Sequence, residues 1–494
     1  MCIVLLFSAS CRWAESGAAE FKTVRSIAGP ESRIGEPFGM AMIGESLYFS
    51  DGANGGVYWK SPKSGLHMVQ TERLHTPSGI AVDAQRNVIV ADSGRHAIYS
   101  AELEPVVLAG VENGPGFADG ETRSARFNGP TGIAVSGDRI LVSDTYNDRI
   151  RVIENGIVST LAGGSRGFGD GIGASAQFDT PLGLAMWGER LLVADAGNRR
   201  IRVVEPDGRV WTLAGNGEGE LVDGFPLQTS FVRPTAIAVG PDGAVYIADG
   251  NAIRVIGRRS FAFVETISGG EHGFRDGDLR TAQFNRPSGL TFDADGRLYV
   301  ADSDNGLIRV FDIDSSVEKV ESLQPRTFTA EEFRTLQPAR WPFDPPEAKR
   351  DIAGTLGEIR GELVDENSQV WFHNGLDIAG AYGETARFLR DEKVRNPMSA
   401  ENFGTLRELL RMPTVGYIHI RLGRDKDDRT FGDPRFVFSK DSAGKMSDVR
   451  VPRGAKFTAG ERIGTLNAMN HVHMIAGPSG AEMNALAALT LPGV

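Results

Sequence analysis

Residues 286–303 read RPSGLTFDADGRLYVADS, and five earlier segments of the chain repeat this pattern, which makes it the main indicator of the architecture. Each copy begins at or beside a proline and joins two β-rich stretches through a turn that contains Asp, Gly or Asn, which is typical of a β-hairpin. The prolines are Pro37, Pro77, Pro130, Pro181, Pro234 and Pro287, and they lie 40 to 53 residues apart. A period of this length predicts a repeat architecture.

Two further stretches complete most copies. The third stretch is typified by DRIRVIE at 148–154 and the fourth by VSTLAG at 158–163. Four strands in each repeat predict the blades of a β-propeller. Residues 23–29, TVRSIAG, match the fourth stretch better than VEKVESL at 317–323 does. We therefore expect the N-terminal strand to complete the last blade, a closure that removes exposed sheet edges.

The repeated pattern resembles the NHL family over about residues 24–323. The resemblance implies an all-β chain with a six-bladed NHL-type β-propeller, which we predict over residues 23–324. Some related propellers are lactonases or lyases that carry histidines and acids in the central channel. The four histidines of this region share no repeat position, so a binding or docking role is favoured; they are His67, His75, His96 and His272.

An aspartate closes the second stretch of every copy, as Asp51, Asp92, Asp144, Asp195, Asp249 and Asp302. A residue that recurs in every blade is better explained as a cap for the following turn than as part of one active site. Glycine-rich insertions follow four blades, and we expect their loops to gather on one face that could bind a protein or polymer ligand. Their D-G pairs are turn dipeptides first, so calcium binding is the less favoured interpretation.

Charge and cysteine content limit the partners. The net charge of −11 argues against a general binder of nucleic acid or of anionic membranes. The two cysteines, Cys2 and Cys11, leave no disulfide or cysteine metal site for the folded part. Residues 1–11, MCIVLLFSASC, resemble a bacterial lipoprotein signal that lipidates Cys11, and a truncated signal peptide is the alternative. Either interpretation of residues 1–22 predicts export to the periplasm or the cell surface.

Residues 325–349 are rich in proline and charge and are interpreted as a linker. The remaining segment, 350–494, contains four of the eight histidines. His373 and Asp377 are spaced H-x-x-x-D, and His471 and His473 are spaced H-x-H, with His419 between the two pairs. The two residues of H-x-H on a strand project from the same face. Imidazole and carboxylate are standard zinc ligands, and a catalytic zinc site uses three of them.

This set of residues, in this order, resembles the lysostaphin-like (LytM-type) metallopeptidases. The resemblance rests on four motifs: H-x-G-x-D at 373–377, Tyr-Ile-His at 417–419, H-x-H at 471–473 and the glycine-punctuated VPRGAKFTAGERIGTLN at 451–467. The resemblance implies a small antiparallel β-sheet domain in which His373, Asp377 and His473 bind Zn²⁺. It also implies that His419 and His471 are catalytic without binding the metal. The family cleaves short, often glycine-containing peptides, such as the cross-links of peptidoglycan.

The sequence departs from the family pattern in places. Asn470 stands where a glycine often precedes H-x-H, and Ile475 and Ala476 stand where Phe-Glu often follows.

We expect an exported zinc-dependent peptidase that its propeller docks on a partner. The main alternative is a non-catalytic cell-envelope scaffold whose C-terminal domain binds a ligand without cleaving it. A weaker alternative places enzymatic activity in the propeller channel.

Overall fold

The structure is a computed structural model of the 494-residue chain. It describes residues 21–69, 74–101, 104–257, 263–313, 323–325, 329–335, 340–348, 350–356, 359–360, 371–477 and 483–489. Cys2, Cys11 and all of the predicted signal segment up to residue 20 lie outside the described residues. Among the residues that are described, no helix combines the length and the apolar character needed to cross a membrane.

The first part of the chain consists of short strands separated by tight turns. The strands are β1 (Thr23–Ala28), β2 (Pro37–Ile43), β3 (Ser46–Asp51), β4 (Gly56–Ser61), β5 (Ser64–Val69), β6 (Pro77–Val82), β7 (Val88–Asp92), β8 (Ala97–Ser100), β9 (Val106–Ala109), β10 (Gly120–Glu121), β11 (Pro130–Ser136), β12 (Arg139–Asp144), β13 (Arg149–Glu154) and β14 (Ile157–Ala162). They continue with β15 (Gly171–Ile172), β16 (Pro181–Trp187), β17 (Arg190–Asp195), β18 (Arg200–Val204), β19 (Arg209–Ala214), β20 (Pro234–Val239), β21 (Val245–Asp249), β22 (Ala252–Ile256), β23 (Val264–Gly269), β24 (Gly277–Asp278), β25 (Pro287–Phe292), β26 (Leu298–Asp302) and β27 (Leu307–Asp312). Single 3-10 turns occur at Pro30–Ser32, Thr145–Asn147, Gly173–Ser175 and Ser303–Asn305.

These strands form six antiparallel sheets, which are the blades of a β-propeller. The first, second and fifth blades are β2–β5, β6–β9 and β20–β23. The third and fourth add the short strands β10 and β15 to the outer edges of β11–β14 and β16–β19. The last blade has the order β24-β1-β27-β26-β25, with β1 antiparallel to β27. The predicted closure of the ring by the N-terminal strand is therefore confirmed.

The innermost strands approach each other closely at the propeller axis, which explains the glycine in most copies of the P-x-G pattern. A Cβ atom on Gly132 would lie 2.0 Å from the carbonyl oxygen of Leu182 in the next blade. The Ser143 hydroxyl accepts a hydrogen bond from the Gly132 N–H and donates one to that same carbonyl, at 2.6 Å each. Glycine thus permits the approach, and the serine joins the two blades.

The repeated aspartates are buried and bind backbone rather than lining a common site. The Asp92 carboxylate accepts hydrogen bonds from the backbone N–H groups of His75, Thr76, Gly94 and Arg95, at 2.6 to 3.1 Å. In four other blades the aspartate also pairs with a fully buried arginine of the third strand, namely Arg151, Arg202, Arg254 or Arg309. The structural interpretation of these aspartates is therefore confirmed, because each one fixes the turns around it.

The C-terminal part contains shorter elements. They are α1 (Ala330–Thr335), β28 (Ile352–Gly354), β29 (Ile359–Arg360), β30 (Trp371–Phe372), β31 (Leu376–Ala379), β32 (Thr385–Arg387), β33 (Glu392–Lys393), β34 (Ala400–Glu401), β35 (Leu409–Arg411), β36 (Val415–Ile418), β37 (Ile420–Leu422), β38 (Val437–Lys440), β39 (Met446–Arg450), β40 (Lys456–Phe457), β41 (Arg462–Leu466), β42 (His471–Ala476) and α2 (Ala485–Ala488). The main sheet has the order β28-β31-β42-β36-β35-β34, and a smaller sheet has the order β32-β41-β37.

A hydrophobic core of its own holds this C-terminal part together. Leu376, Tyr417 and Met474 of the main sheet are fully buried in that core. It also contains Phe333, Trp341 and Phe343, which come from the segment interpreted as a linker. At these three positions the segment is therefore part of the packed core and not an exposed linker. The free energy gained by burying large aromatic side chains outweighs the local preference of proline and charged residues for solvent.

The C-terminal part packs on the propeller face that carries the turns after the second strands. The guanidinium of Arg453 is fully buried there and lies 2.6 Å from the Glu36 carboxylate. Its Nε donates to the Ser78 hydroxyl at 2.9 Å, and its Cζ lies 4.1 Å above the Phe38 ring. One arginine of the C-terminal part therefore contacts residues of two neighbouring blades at the propeller mouth.

Further ion pairs surround this contact. Arg450 lies 2.7 Å from Asp148 in the third blade. Arg166, in one of the glycine-rich insertions, pairs with Asp448 of the C-terminal part. The loop face that the sequence suggested as a ligand surface is thus contacted, at these residues, by the chain's own C-terminal part.

Candidate metal centre

Two neighbouring strands of the main sheet bring the predicted ligands together. Asp377 on β31 lies directly opposite His473 on β42. Directly opposite residues of an antiparallel pair share a face of the sheet. His471 precedes His473 by two residues and therefore shares that face as well. His373 lies just before β31, close enough to contact both Asp377 and His473.

The three donor atoms of these ligands face one another at short range. His373 Nε2 lies 3.1 Å from Asp377 Oδ1 and 2.9 Å from His473 Nδ1, and His473 Nδ1 lies 2.7 Å from Asp377 Oδ1. All three residues are buried. Donor atoms about 2.0 to 2.1 Å from a tetrahedral zinc ion are separated by about 3.3 Å, so small side-chain shifts would admit the ion. Two imidazoles and one carboxylate also fit zinc by their chemistry.

Neighbouring oxygen atoms orient both imidazole rings for this role. His373 Nδ1 lies 2.8 Å from the carbonyl oxygen of Thr355, which can only accept a hydrogen bond. The Nδ1 atom therefore carries the proton, and Nε2 presents its lone pair to Asp377 and His473. His473 Nε2 lies 3.2 Å from Oδ1 of Asn374 and is oriented in the same way. Such outer partners are typical of metal-binding histidines.

The carboxylate of Asp377 is held in its ionised form. Burial opposes the charge, but the hydrogen bond with His473 and the electrostatic interaction with the neighbouring histidines outweigh it and lower the pKa of Asp377 below its ordinary value. An ionised carboxylate is the state that binds a metal ion. Asp377 therefore stays an ionised carboxylate at neutral pH, the state in which it could hold a cation.

His419 and His471 flank the three ligands as a second pair of rings. Their ring centroids lie 4.7 Å apart, and that of His419 lies 6.1 Å from that of His473. Each ring places Nδ1 near a backbone carbonyl, at 2.6 Å from Leu406 and 2.8 Å from Met469 respectively. Since those carbonyls only accept, each Nδ1 carries a proton, and in the neutral ring Nε2 is then the nitrogen that can receive one; Nε2 of His471 lies 3.5 Å from Asp377 Oδ1.

The backbone at His419 is unusual. Its φ angle is 68°, in the left-handed region that non-glycine residues seldom adopt. The residue sits between β36, which belongs to the main sheet, and β37, which belongs to the smaller sheet. Burial lowers the pKa of His419, so its ring is neutral near pH 7. Strained backbone at a polar residue is commonly associated with function.

All five predicted site residues are thus brought together in one place. The outer partners were missed, because the carbonyls of Thr355, Leu406 and Met469 are backbone atoms that leave no trace in the sequence. Asn374 lies inside the H-x-G-x-D motif, and this position is the only feature of the sequence that suggests a role for it at the site. Gly375 of the same motif has a clear packing role, since a Cβ atom there would lie 2.6 Å from His473 Nε2.

The propeller channel offers no comparable chemistry. The inner strands of all six blades line a small axial cavity of about 60 Å³. Its lining is mostly glycine and apolar side chains, such as Phe38, Ile80 and Leu184, and among the described residues it includes no acid and no histidine. The arrangement required by the channel-enzyme alternative is therefore absent from this lining.

Comparisons with known proteins identify the repeats. The model of the NHL repeat matches residues 74–98, 127–153 and 284–311, all within the propeller. Protein SUPPRESSOR OF QUENCHING 1, chloroplastic, of Arabidopsis thaliana is 29% identical over 354 residues, covering 54% of this chain and 34% of that protein. NHL repeat-containing protein 2 of Bos taurus is 30% identical over 280 residues, covering 48% of this chain and 38% of that protein. The matches thus span little more than a third of the length of these relatives.

Among solved structures, a structural-genomics protein of unknown function from Bacteroides thetaiotaomicron VPI-5482 aligns with a TM-score of 0.48 and 18% identity. This alignment covers 58% of this chain and 75% of that one. NHL repeats are binding and scaffold modules, and their propellers commonly bind protein partners. The repeats, the six sheets and the family match together identify the first part of the chain as an NHL-repeat β-propeller.

Proposed function

We propose that the C-terminal part of the chain is a zinc-dependent peptidase and that the propeller is the rigid platform on which it is mounted. The observation that carries this proposal is the cluster of His373, Asp377 and His473, with its donor atoms within 4.8 Å of one another. Two further histidines, His419 and His471, border this cluster. When bound, zinc supplies Lewis-acid activation of a carbonyl group and of water.

The residues of this chain would divide the remaining tasks. Nε2 of His419 and Nε2 of His471 are the two nitrogens left to exchange protons at the edge of the cluster. A neutral imidazole removes a proton from an attacking water, and its protonated form then donates to the leaving amine or to a developing oxyanion. The hydrogen bonds that the two rings donate to the carbonyl oxygens of Leu406 and Met469 fix both rings, so little reorganisation accompanies the proton transfer.

The substrate class is a further part of the proposal. The resemblance to lysostaphin-like enzymes favours short glycine-containing peptides, including the cross-links of peptidoglycan, and such a substrate requires an exported protein. A non-catalytic scaffold is the second candidate function, favoured by Asn470, Ile475 and Ala476, which replace residues usual in that family. The two candidates differ in whether the bound peptide is cleaved.

Zinc content and cleavage test both candidates in the purified full chain. We expect about one zinc per chain, and we expect the variants His373→Ala and His473→Ala to lose it, because each removes one of three ligands. His67→Ala is the matched control, since this exposed histidine stacks on Trp59 in the first blade. Absence of zinc after reloading would refute the metal centre.

Cleavage of a pentaglycine peptide, followed by mass spectrometry, separates the enzyme from the scaffold. His419→Ala should retain zinc and lose cleavage, because the residue takes part in proton transfer without holding the ion. A chain that binds zinc and peptide but cleaves neither pentaglycine nor purified peptidoglycan would be the scaffold.

A further inference from the structure

A cavity of about 410 Å³ lies at the seam between the propeller and the C-terminal part. Arg233 and Arg286 line it from the propeller, and Arg395 and Arg411 line it from the C-terminal part. Its volume falls in the range of about 300 to 1,000 Å³ that is usual for ligand sites, which often lie between domains. Both parts of the chain are needed to form this seam cavity.

The wall of the seam cavity carries an excess of positive charge. It contains four arginines but only two carboxylates, Asp304 and Glu401. Arg286 lies 2.6 Å from Asp304, and Arg233 lies 3.1 Å from Glu401 across the seam. The two carboxylates are therefore already engaged by the two propeller arginines.

Arg395 adds a positive charge that neither of these two carboxylates balances. Its Nε atom is buried and has no hydrogen-bond partner among the described residues. A buried donor without a partner is costly, and a guanidinium is satisfied best by a carboxylate or phosphate oxygen. The wall therefore fits an oxyanion better than a neutral or cationic ligand.

One row of residues connects the seam cavity to the metal centre across the main sheet. Asp377 lies opposite His473, His473 opposite Ile418, Ile418 opposite Leu409, and Leu409 opposite Glu401. Directly opposite residues share a face, so all five side chains leave the sheet on the same side. Leu409 and Glu401 belong to the wall of the seam cavity.

The opposite face of this sheet is turned to the core. Leu410 and Tyr417, which alternate with Leu409 and Ile418 along their strands, are fully buried there. The metal centre and the seam cavity therefore share the sheet face that points away from the core. His473 and Glu401 are three strands apart, which is about 14 Å at about 4.8 Å per strand. An extended peptide rising about 3.3 Å per residue covers that distance in about four residues.

We propose that the seam cavity binds an anionic group of the peptide substrate, a carboxylate about four residues from the scissile bond. The propeller then forms one end of the substrate site instead of serving only as a remote anchor. This inference rests on the proposed function, because it takes the metal centre as the place of cleavage. It adds an acidic peptide as the substrate class and gives Arg395 and its neighbours the role of recognising it.

Peptide binding to the full chain tests this inference. The probes are hexapeptides of five glycines with one glutamate at either end, acetylated and amidated so that the side chain is the only charge. Their glutamine analogues are the neutral comparison. Calorimetry on zinc-depleted protein measures binding without cleavage. We expect one of the two glutamate peptides, the one whose glutamate reaches the seam cavity, to bind about tenfold more tightly than its glutamine analogue. A tenfold difference in affinity corresponds to the free energy of a charge-assisted hydrogen bond.

Variants locate the preference. Arg395→Gln should abolish it, whereas Arg395→Lys should retain part of it. Arg209→Gln is the matched control, because Arg209 is 61% exposed in the side chain and lies on the fourth blade. Equal affinity for glutamate and glutamine peptides in the unmodified chain would overturn the inference, whatever the variants do.

The two proposals fail in different ways. A chain that prefers the glutamate peptide but neither binds zinc nor cleaves would refute the peptidase and leave the anion site. A chain that binds zinc and cleaves pentaglycine, yet shows no preference for glutamate in binding or in KM, would refute the anion site and leave the peptidase.

Discussion

Replacing Arg453 with methionine tests how firmly the C-terminal part is held on the propeller. Methionine keeps much of the apolar volume over Phe38 but removes the ion pair with Glu36. The side chains of Arg453 and Glu36 are both fully buried. Removing one partner of a buried pair costs about 3 to 5 kcal/mol. Arg286 remains 2.8 Å from Glu36, so we expect the low end of this range, about 3 kcal/mol.

The pH dependence of this loss has a definite sign. Burial alone would raise the pKa of Glu36, but Arg453 and Arg286 outweigh it and lower the pKa below the ordinary value of 4.5. A carboxyl group with a lowered folded pKa contributes stability above its unfolded pKa and loses that contribution as the pH falls through the folded pKa. Arg453→Met raises the folded pKa of Glu36. The difference between variant and unmodified chain should therefore be full near pH 7 and shrink below about pH 4.5.

Urea unfolding followed by tryptophan fluorescence measures the loss. The matched control is Arg190→Met, which breaks another Arg–Glu pair, with Glu205 at 3.1 Å, where the arginine side chain is 49% exposed. Exposed pairs are worth about 0 to 1 kcal/mol, so the control should change the free energy of unfolding by no more than that. If Arg453→Met destabilised the chain no more than Arg190→Met, or equally at pH 7 and pH 4, the buried ion pair with Glu36 would not be what holds the C-terminal part on the propeller.

Three other predictions concern the metal centre and the propeller axis. Gly375→Ala should weaken zinc binding about 10- to 100-fold in a chelator competition, because its Cβ would displace the His473 ring, and unchanged affinity would contradict the packing role of this glycine. The rate of peptide cleavage should fall with decreasing pH only below pH 6.5, because the lowered pKa of His419 keeps this base neutral to more acidic pH. A pH–rate profile whose acidic limb is centred above pH 7 would argue against this role of His419. Gly132→Ala should cost about 1 to 3 kcal/mol in thermal or urea unfolding by crowding the next blade, whereas Gly65→Ala, with nothing within 4 Å, should be nearly neutral.

The propeller was largely predictable because its signals are local and repeated. Each copy places a proline and an aspartate at fixed positions, five of the six add a glycine two residues after the proline, and this agreement outweighs the ambiguity of any single hairpin. Even the long-range pairing of β1 with β27 followed from the same pattern, since the stretch at 23–29 matched a missing fourth strand. The spacing of H-x-H likewise predicted a shared strand face, which β42 provides.

The contacts between the two parts of the chain could not be predicted in this way. Arg453 lies within a glycine-punctuated stretch that resembles a peptidase motif, and nothing local distinguishes it from an exposed arginine. Its partners lie hundreds of residues earlier and have no shared period with it. The left-handed backbone of His419 and the core positions of Trp341 and Phe343 are also products of tertiary packing, which can override local composition.

The closure of the ring by β1 has a consequence for synthesis of the chain. The partner strand β27 begins at Leu307, so β1, which ends at Ala28, must wait for nearly the whole propeller to be translated. At about 5 to 20 residues per second, this delay is roughly 15 to 60 s on the ribosome. During that time the nascent chain has an unclosed ring with open strand edges, which are templates for pairing with other chains. Until β27 is made, the last blade therefore lacks the pairing of β1 with β27 that closes the ring.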